Sequence, residues 1–148
     1  RFSGAEGMIG GQIIDMENEE RDHVSADNLR YMYSLKTGAL IKASCKMGCI
    51  CAGADDNKIS LAEEYAEYLG AAFQIIDDIL DVTGDSSLLG KPVGSDSQEN
   101  KTTFVTVYGL EKAKEEAEKY TNMAVILDRF DDSIFLKELT CFLLDRRF

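Results

Sequence analysis

Three carboxylates stand close together in an otherwise apolar run, Phe73-Gln74-Ile75-Ile76-Asp77-Asp78-Ile79-Leu80-Asp81. On a helix, Asp77 and Asp81 share a face, and Asp78 lies beside them, three residues from Asp81. Like charges so arranged repel, so the cluster is unfavourable unless water, lysine or a hard cation compensates it. Carboxylate oxygens suit Mg²⁺, which keeps several waters and bridges to substrate phosphates. A solvated acidic edge is the plain alternative. The apolar neighbours make that description weaker here than for Glu17-Asn18-Glu19-Glu20.

Opposite charge is close at hand. Gly90-Lys91 and Lys101 flank Gly94-Ser95-Asp96, and Lys36-Thr37-Gly38 combines an ammonium, a hydroxyl and a residue small enough for close approach. Lysine neutralises a phosphate as a point charge with three donors. Taken singly, each lysine reads as a surface residue. Together with the aspartates they point to a site for metal-bound diphosphate. Gly90-Lys91 lacks the preceding glycines and the following Ser or Thr of a nucleotide-hydrolase phosphate loop.

Helices must position these groups. Residues 8–22 read as the end of a buried helix with polar last turns. Residues 25–52 carry Leu29, Met32, Tyr33, Leu40, Ile41, Cys45 and Ile50 at helical spacing. This predicts one helix with an interior Gly38, a costly residue unless backbone or ligand approaches closely there. A turn is expected at 53–57. Ser60 and Glu63 then form a capping box launching a largely internal helix to about Val82. The segment from Gly84 to Asn100 is polar, carries the only proline, Pro92, and reads as a lid or binding loop. Thr102 to Tyr108 is rich in β-branched residues, but with no second strand to pair with, it is read as a short helix. An amphipathic helix over 110–130 follows, and Asp132 or Ser133 caps a last helix to about Arg146.

The chain has 148 residues, with 16 Lys and Arg against 27 Asp and Glu, for a net charge of −11. That balance argues against a general nucleic-acid binder, which needs a basic footprint. It leaves room for an anionic substrate, because bound metal reverses the sign of a small site. One proline in the chain, against a usual share of roughly 5%, fits long uninterrupted helices. No apolar stretch approaches the roughly 18 residues of a membrane span. Cys45 and Cys49, four apart, offer a zinc half-site. The other spacings fit no standard metal pattern, so buried free thiols and a reducing, cytoplasmic setting are expected. The first residues form no targeting leader, and a helical pattern starts almost at once, as in a chain that begins part-way through a larger protein.

In order, Gly11-Gln12 with Asp15, Lys36-Thr37-Gly38, the Phe73–Asp81 string, Gly90-Lys91-Pro92, Gly94-Ser95-Asp96 and Lys101-Thr102-Thr103 resemble the C-terminal part of a trans-type polyprenyl diphosphate synthase. The likeness runs from about Gly7 to the end, and the shorter, farnesyl- or geranyl-producing bacterial type is closest in style. The resemblance implies an all-α chain, with residues 1–148 forming the C-terminal portion of a helical isoprenoid-synthase fold around a central cavity. It implies Mg²⁺-dependent head-to-tail condensation of an allylic prenyl diphosphate with isopentenyl diphosphate, by a homodimer when complete.

By the same resemblance, Asp77 and Asp78, with Asp81 in support, hold Mg²⁺, while Lys36, Lys91 and Lys101 grip the allylic diphosphate. Thr37 and Gln74 line the reacting allylic end, Phe73 packs near the isopentenyl unit, and Gln12 and Asp15 line the same cavity from another helix. No catalytic histidine is implied, so His23 is incidental. The family's first aspartate-rich motif, its paired arginines and its product-length residues are expected upstream of Gly7, so this chain carries about half of a site and is expected to be inactive alone. A non-catalytic helical subunit that stabilises another synthase, or a helical lyase that ionises diphosphates without condensation, are the competing readings.

Overall fold

The computed structural model describes residues 1–21, 23–84, 101–124, 130 and 133–144. Its elements are α1 (Met8–Glu19), α2 (Ala26–Tyr33), a π-helical turn (Ser34–Gly38), α3 (Ala39–Cys51), α4 (Asp56–Thr83), α5 (Phe104–Tyr108), α6 (Leu110–Ala124) and α7 (Ile134–Leu144). There is no strand among the described residues, so the fold is all-α as expected.

The 28-residue α4 is the central pole, packed against α2, α3, the π-helical turn, α5, α6 and α7. Its buried residues run from Ala62 through Tyr65, Leu69, Ala72 and Ile75 to Asp78 and Asp81, more than one narrow stripe, which accounts for its internal position. One apolar cluster joins it to Leu29, Met32, Tyr33 and Phe104; a second joins Tyr65, Leu69 and Ala72 to Ala124 and Leu144. Ala113 and Ala117 let α6 lie close to the first cluster.

The start of α4 differs from the sequence expectation. Asp55 is its N-cap, accepting from the Lys58 amide at 2.9 Å, so Ser60 and Glu63 lie inside the helix and form no capping box. Asp55 and Asp56 together supply a cap and an acidic first turn, and no later start is needed. The preceding turn is shortened to match, with Gly53 at φ +70°, a conformation that favours glycine. The β-branched segment before α6 is helical, as predicted. Its capping box explains why: Thr103 Oγ1 accepts from the Thr106 amide at 3.3 Å, and Thr106 Oγ1 accepts from the Thr103 amide at 2.8 Å.

Two further expectations change. The single helix over 25–52 is interrupted by the π-helical turn, which holds the Lys36-Thr37-Gly38 motif. And α1 buries its small and polar side, Gly11, Asp15 and Asn18, while Ile9, Ile13 and Met16 are exposed. The cause of both is close backbone packing. A Cβ on Gly11 would lie 2.2 Å from the Lys36 nitrogen, and one on Gly70 of α4 would lie 3.1 Å from the Gly38 Cα. The π-helical turn is thus clasped between two glycines; the small residue that the approach of α4 requires is Gly70, since a Cβ on Gly38 itself would meet only the Tyr33 carbonyl oxygen, at 3.7 Å.

All four cysteines are free; Cys45 and Cys49 are half-buried, whereas Cys51 and Cys141 are exposed, so the expectation of four buried thiols holds for neither of the last two. Burial and the neighbouring Cys49 push the Cys45 thiol up. His23 is exposed. Among the described residues no helix is long and apolar enough to cross a membrane.

A Gly11→Ala substitution should therefore cost about 1–3 kcal/mol, because backbone rather than a flexible side chain blocks the new methyl group. Gly48, inside α3, has nothing within 4 Å of its would-be Cβ. Gly48→Ala should stabilise by up to about 1 kcal/mol through helix propensity alone. Urea denaturation of the two variants tests the pair, and equal stability of Gly11→Ala and wild type would contradict the close approach.

Candidate functional site

The site is built where α1, the π-helical turn and α4 meet. The extra residue of the turn aims neighbouring side chains at different helices. Lys36 reaches α1, where its Nζ lies 2.5 Å from Asp15 Oδ2. Thr37 reaches α4, where its hydroxyl donates to Gln74 Oε1 at 2.9 Å. The Asp15 side chain is 10% exposed and the Lys36 side chain 33%, so the pair is held inside yet leaves the ammonium accessible. An ammonium has three donors, and one bond to Asp15 leaves two for an incoming anion.

On α4, Gln74, Asp77 and Asp81 follow at spacings of three and four and lie along one strip. Asp77 is half-buried and Asp81 is 1% exposed. Asp78, 3% exposed, occupies the neighbouring strip and meets protein donors. Its Oδ2 accepts from the Tyr33 hydroxyl at 2.6 Å and from the Phe104 amide at 2.9 Å; its Oδ1 accepts from Gln74 Nε2 at 3.2 Å. The Phe104 amide belongs to the first turn of α5, whose N–H groups have no partner within the helix. Three elements thus converge on one carboxylate.

Thr37 and Phe73 line a cleft of about 490 Å³ whose other walls, including Ile41, Leu69 and Leu139, are almost wholly apolar. Phe73 also packs against the second core cluster. Lys101 is half-buried at the end of the connection into α5. Gln12 is exposed on α1, beside Gly11. Lys91, Pro92 and the Gly94-Ser95-Asp96 motif lie outside the described residues.

The structure therefore brings together Asp15, Lys36, Thr37 and Gln74, with Asp77 and Asp81 farther along the same helix. Tyr33 and the Phe104 amide were not among the residues the sequence singled out. A tyrosine one turn before a lysine carries no signal, and a backbone donor has none in sequence at all. Among the described residues no three His, Cys, Asp or Glu side chains converge as a metal cage. Mg²⁺ needs no such cage: it is commonly held by one or two carboxylates, with water and substrate phosphates completing the shell. Asp77 and Asp81 fit that requirement.

Burial and the Asp78 carboxylate push the Tyr33 phenol far above its ordinary value, so it remains a donor. Tyr33→Phe should cost about 1–3 kcal/mol by leaving a buried acceptor without its donor. Above an unfolded value of 10.0, the unfolded chain releases this proton while the folded chain keeps it, so stability falls as pH rises. Urea denaturation from neutral to strongly alkaline pH should show a shallower alkaline decline in Tyr33→Phe than in wild type. Identical slopes would contradict the assignment.

Comparison with known proteins matches this arrangement to a family. A statistical model of the polyprenyl synthetase family matches residues 4–139. Farnesyl diphosphate synthase of Escherichia coli (strain K12) is 44% identical over 116 residues, covering 78% of this chain and 38% of that protein. Geranylgeranyl diphosphate synthase of Sulfolobus acidocaldarius is 45% identical over 109 residues, covering 74% and 33%. The chain thus spans about two-fifths or less of the length of these curated relatives. Among solved structures, an FPP/GFPP synthase from Zymomonas mobilis superposes with a TM-score of 0.80 at 30% identity, over 95% of this chain and 46% of that one. Heptaprenyl diphosphate synthase from Staphylococcus aureus shares the fold with a TM-score of 0.87 at 22% identity, over 95% and 57%. With a family match over nearly its whole length, and helical prenyl synthases that superpose on it, the chain belongs to the polyprenyl synthetase family.

Proposed function

We propose that the chain is the C-terminal portion of a polyprenyl synthase domain and supplies the metal–diphosphate half of its site. The reaction is head-to-tail condensation of an allylic prenyl diphosphate with isopentenyl diphosphate, releasing diphosphate. The observation that carries this reading is the pair of bonds made by the π-helical turn: Lys36 to Asp15 and Thr37 to Gln74. They hold an ammonium and a hydroxyl on consecutive residues, the hydroxyl bonded to the strip of α4 that also bears Asp77 and Asp81, and Thr37 lines an apolar cleft as well.

The chemistry asked of this site is ionisation of an allylic carbon–oxygen bond, which places negative charge on diphosphate and positive charge on carbon. Lys36, with Lys91 and Lys101, stabilises the departing diphosphate, as positioned cations do for other charge developing on phosphate. Asp77 and Asp81 would hold Mg²⁺, which would neutralise diphosphate oxygens when bound. Thr37 and Gln74 face the reacting allylic end, and the cleft behind them excludes water from the carbocation. Phe73 packs beside the isopentenyl unit, whose double bond attacks the allylic carbon. The new carbon–carbon bond replaces the broken carbon–oxygen bond, and released diphosphate takes the proton that restores the alkene. Gln12 and Asp15 complete the α1 wall.

A homodimer in the cytoplasm, inactive when reduced to this chain, belongs to the same proposal. The exposed apolar stripe of Ile9, Ile13 and Met16 on α1 supports a covering partner surface, since contiguous exposed apolar residues mark contact sites.

Isothermal titration of the 148-residue chain with MgCl₂ and inorganic pyrophosphate should show weak binding that needs both components. Asp77→Asn should weaken it by about tenfold or more, the equivalent of ~1.4 kcal/mol. Joined behind the upstream portion of the E. coli relative, the chain should form labelled prenyl products from a short allylic primer and isopentenyl diphosphate. No product from any short primer would sink the condensation reading. Product formed without isopentenyl diphosphate would favour the lyase, and association with a complete synthase but no turnover would favour the non-catalytic subunit.

A further inference from the structure

The hydrogen bonds around Asp78 have a polarity that can be read by elimination. A carboxylate only accepts, so the groups facing its two oxygens must donate. Tyr33 and the Phe104 amide take Oδ2. The group at Oδ1 is the Gln74 side-chain amide, which must therefore turn its NH₂ toward Asp78. That leaves the Gln74 carbonyl oxygen facing the π-helical turn, where it too can only accept. The Thr37 hydroxyl, 2.9 Å away, must then give its proton to Gln74. Its proton is thereby turned to Gln74 and not to the apolar cleft that Thr37 also lines. Each step follows from the one before, and the first cause is the carboxylate.

We propose that Asp78 is a positioning residue: it fixes the orientation of the Gln74 amide and, through it, engages the Thr37 hydroxyl proton so that none is offered to the apolar cleft. This rests on the prenyl diphosphate reading, in which that end of the cleft meets an allylic cation. A hydroxyl proton aimed at that cation would oppose it, and Thr37 turns its proton to Gln74 instead. Asp78 thereby differs in role from Asp77 and Asp81, although the three stand in one string. Two donors on Oδ2 and one on Oδ1 tie its carboxylate to α2, α4 and α5.

The test uses the 148-residue chain labelled with ¹⁵N and ¹³C, read by NMR. In wild type, Gln74 Nε2 should show a scalar coupling to the Asp78 side-chain carboxyl carbon across the hydrogen bond, and the Thr37 hydroxyl proton should be protected from exchange. Adding MgCl₂ with inorganic pyrophosphate should shift the carboxyl carbon of Asp77 and leave that of Asp78 in place. Asp78→Asn, which puts a donor where only acceptors serve, should abolish the coupling and release the Thr37 hydroxyl to exchange with solvent. It should weaken pyrophosphate binding by less than about threefold, against about tenfold for Asp77→Asn. The two wild-type measurements stand even where Asp78→Asn fails to fold.

Absence of the Gln74–Asp78 coupling in wild type would overturn the proposal, as would a carboxyl shift at Asp78 as large as that at Asp77. A Thr37 hydroxyl equally protected in a folded Asp78→Asn variant would overturn it too. Coupling and protection present, with no response of any carboxylate to magnesium and pyrophosphate, would support the orientation and overturn the diphosphate reading instead.

Discussion

A carboxylate withdrawn from water must find donors inside the protein, and an unpaired buried charge is among the costliest features a fold can carry. Asp78 is such a group, and its donors come from three separate elements: Tyr33 at the end of α2, Gln74 on α4 and the first amide of α5. Each bond to an ionised acceptor is stronger than its neutral counterpart. Losing any one of the three leaves the others to meet a charge they cannot fully satisfy. The position of α5 therefore depends on Asp78, and so does the register of α2 against α4. Tyr33 also packs against Phe104, with ring centroids 6.0 Å apart, so the polar node sits inside the first apolar cluster. Burial strengthens the node electrostatically, and the node in turn gives that part of the core a fixed arrangement.

The π-helical turn is the second consequence of close packing. A regular helix through Ser34–Gly38 would keep Lys36 and Thr37 about 100° apart about one axis, with no extra residue to adjust where either points. The wider turn lets them reach α1 and α4 respectively, and two glycines make room for it. Gly11 admits the Lys36 backbone and Gly70 admits Gly38, so Lys36 is held by backbone contact as well as by its ion pair with Asp15. Positioning of this kind comes from rigid elements and not from a flexible loop.

Much of this was legible in the sequence, and the illegible parts share a cause. Helical periodicity disclosed α4, α3 and α6, because an apolar stripe needs only the chain's own spacing to be recognised. The short α5 was deduced from the lack of a pairing strand. Asp15, Lys36, Thr37 and Gln74 were all singled out, yet their pairing into two bonds depends on how α1, the turn and α4 cross. Ser60 and Glu63 matched a cap pattern, but Asp55 lay far enough upstream to start the helix first. The outward face of α1 was misread because Ile9, Ile13 and Met16 look like core residues until Gly11 and Asp15 are seen to face the turn. What a sequence withholds is the identity of the neighbour, which decided the π-helical turn and the outward face of α1.

The aspartate string shows the same limit at the scale of a single helix. Its first and third members are one turn apart and face one way, while the second is rotated by about 100°. On α4 that rotation carries Asp78 from the strip shared by Asp77 and Asp81 to the side where Tyr33 and α5 wait. In a string of this spacing the outer pair shares one side of the helix, and the middle residue is turned from it to meet other elements. The pair would need the middle residue to be exact, since Gln74, which that residue orients, precedes Asp77 by one turn on the same strip. Different neighbours thus meet three identical side chains, distinguished only by the pitch of the backbone that carries them.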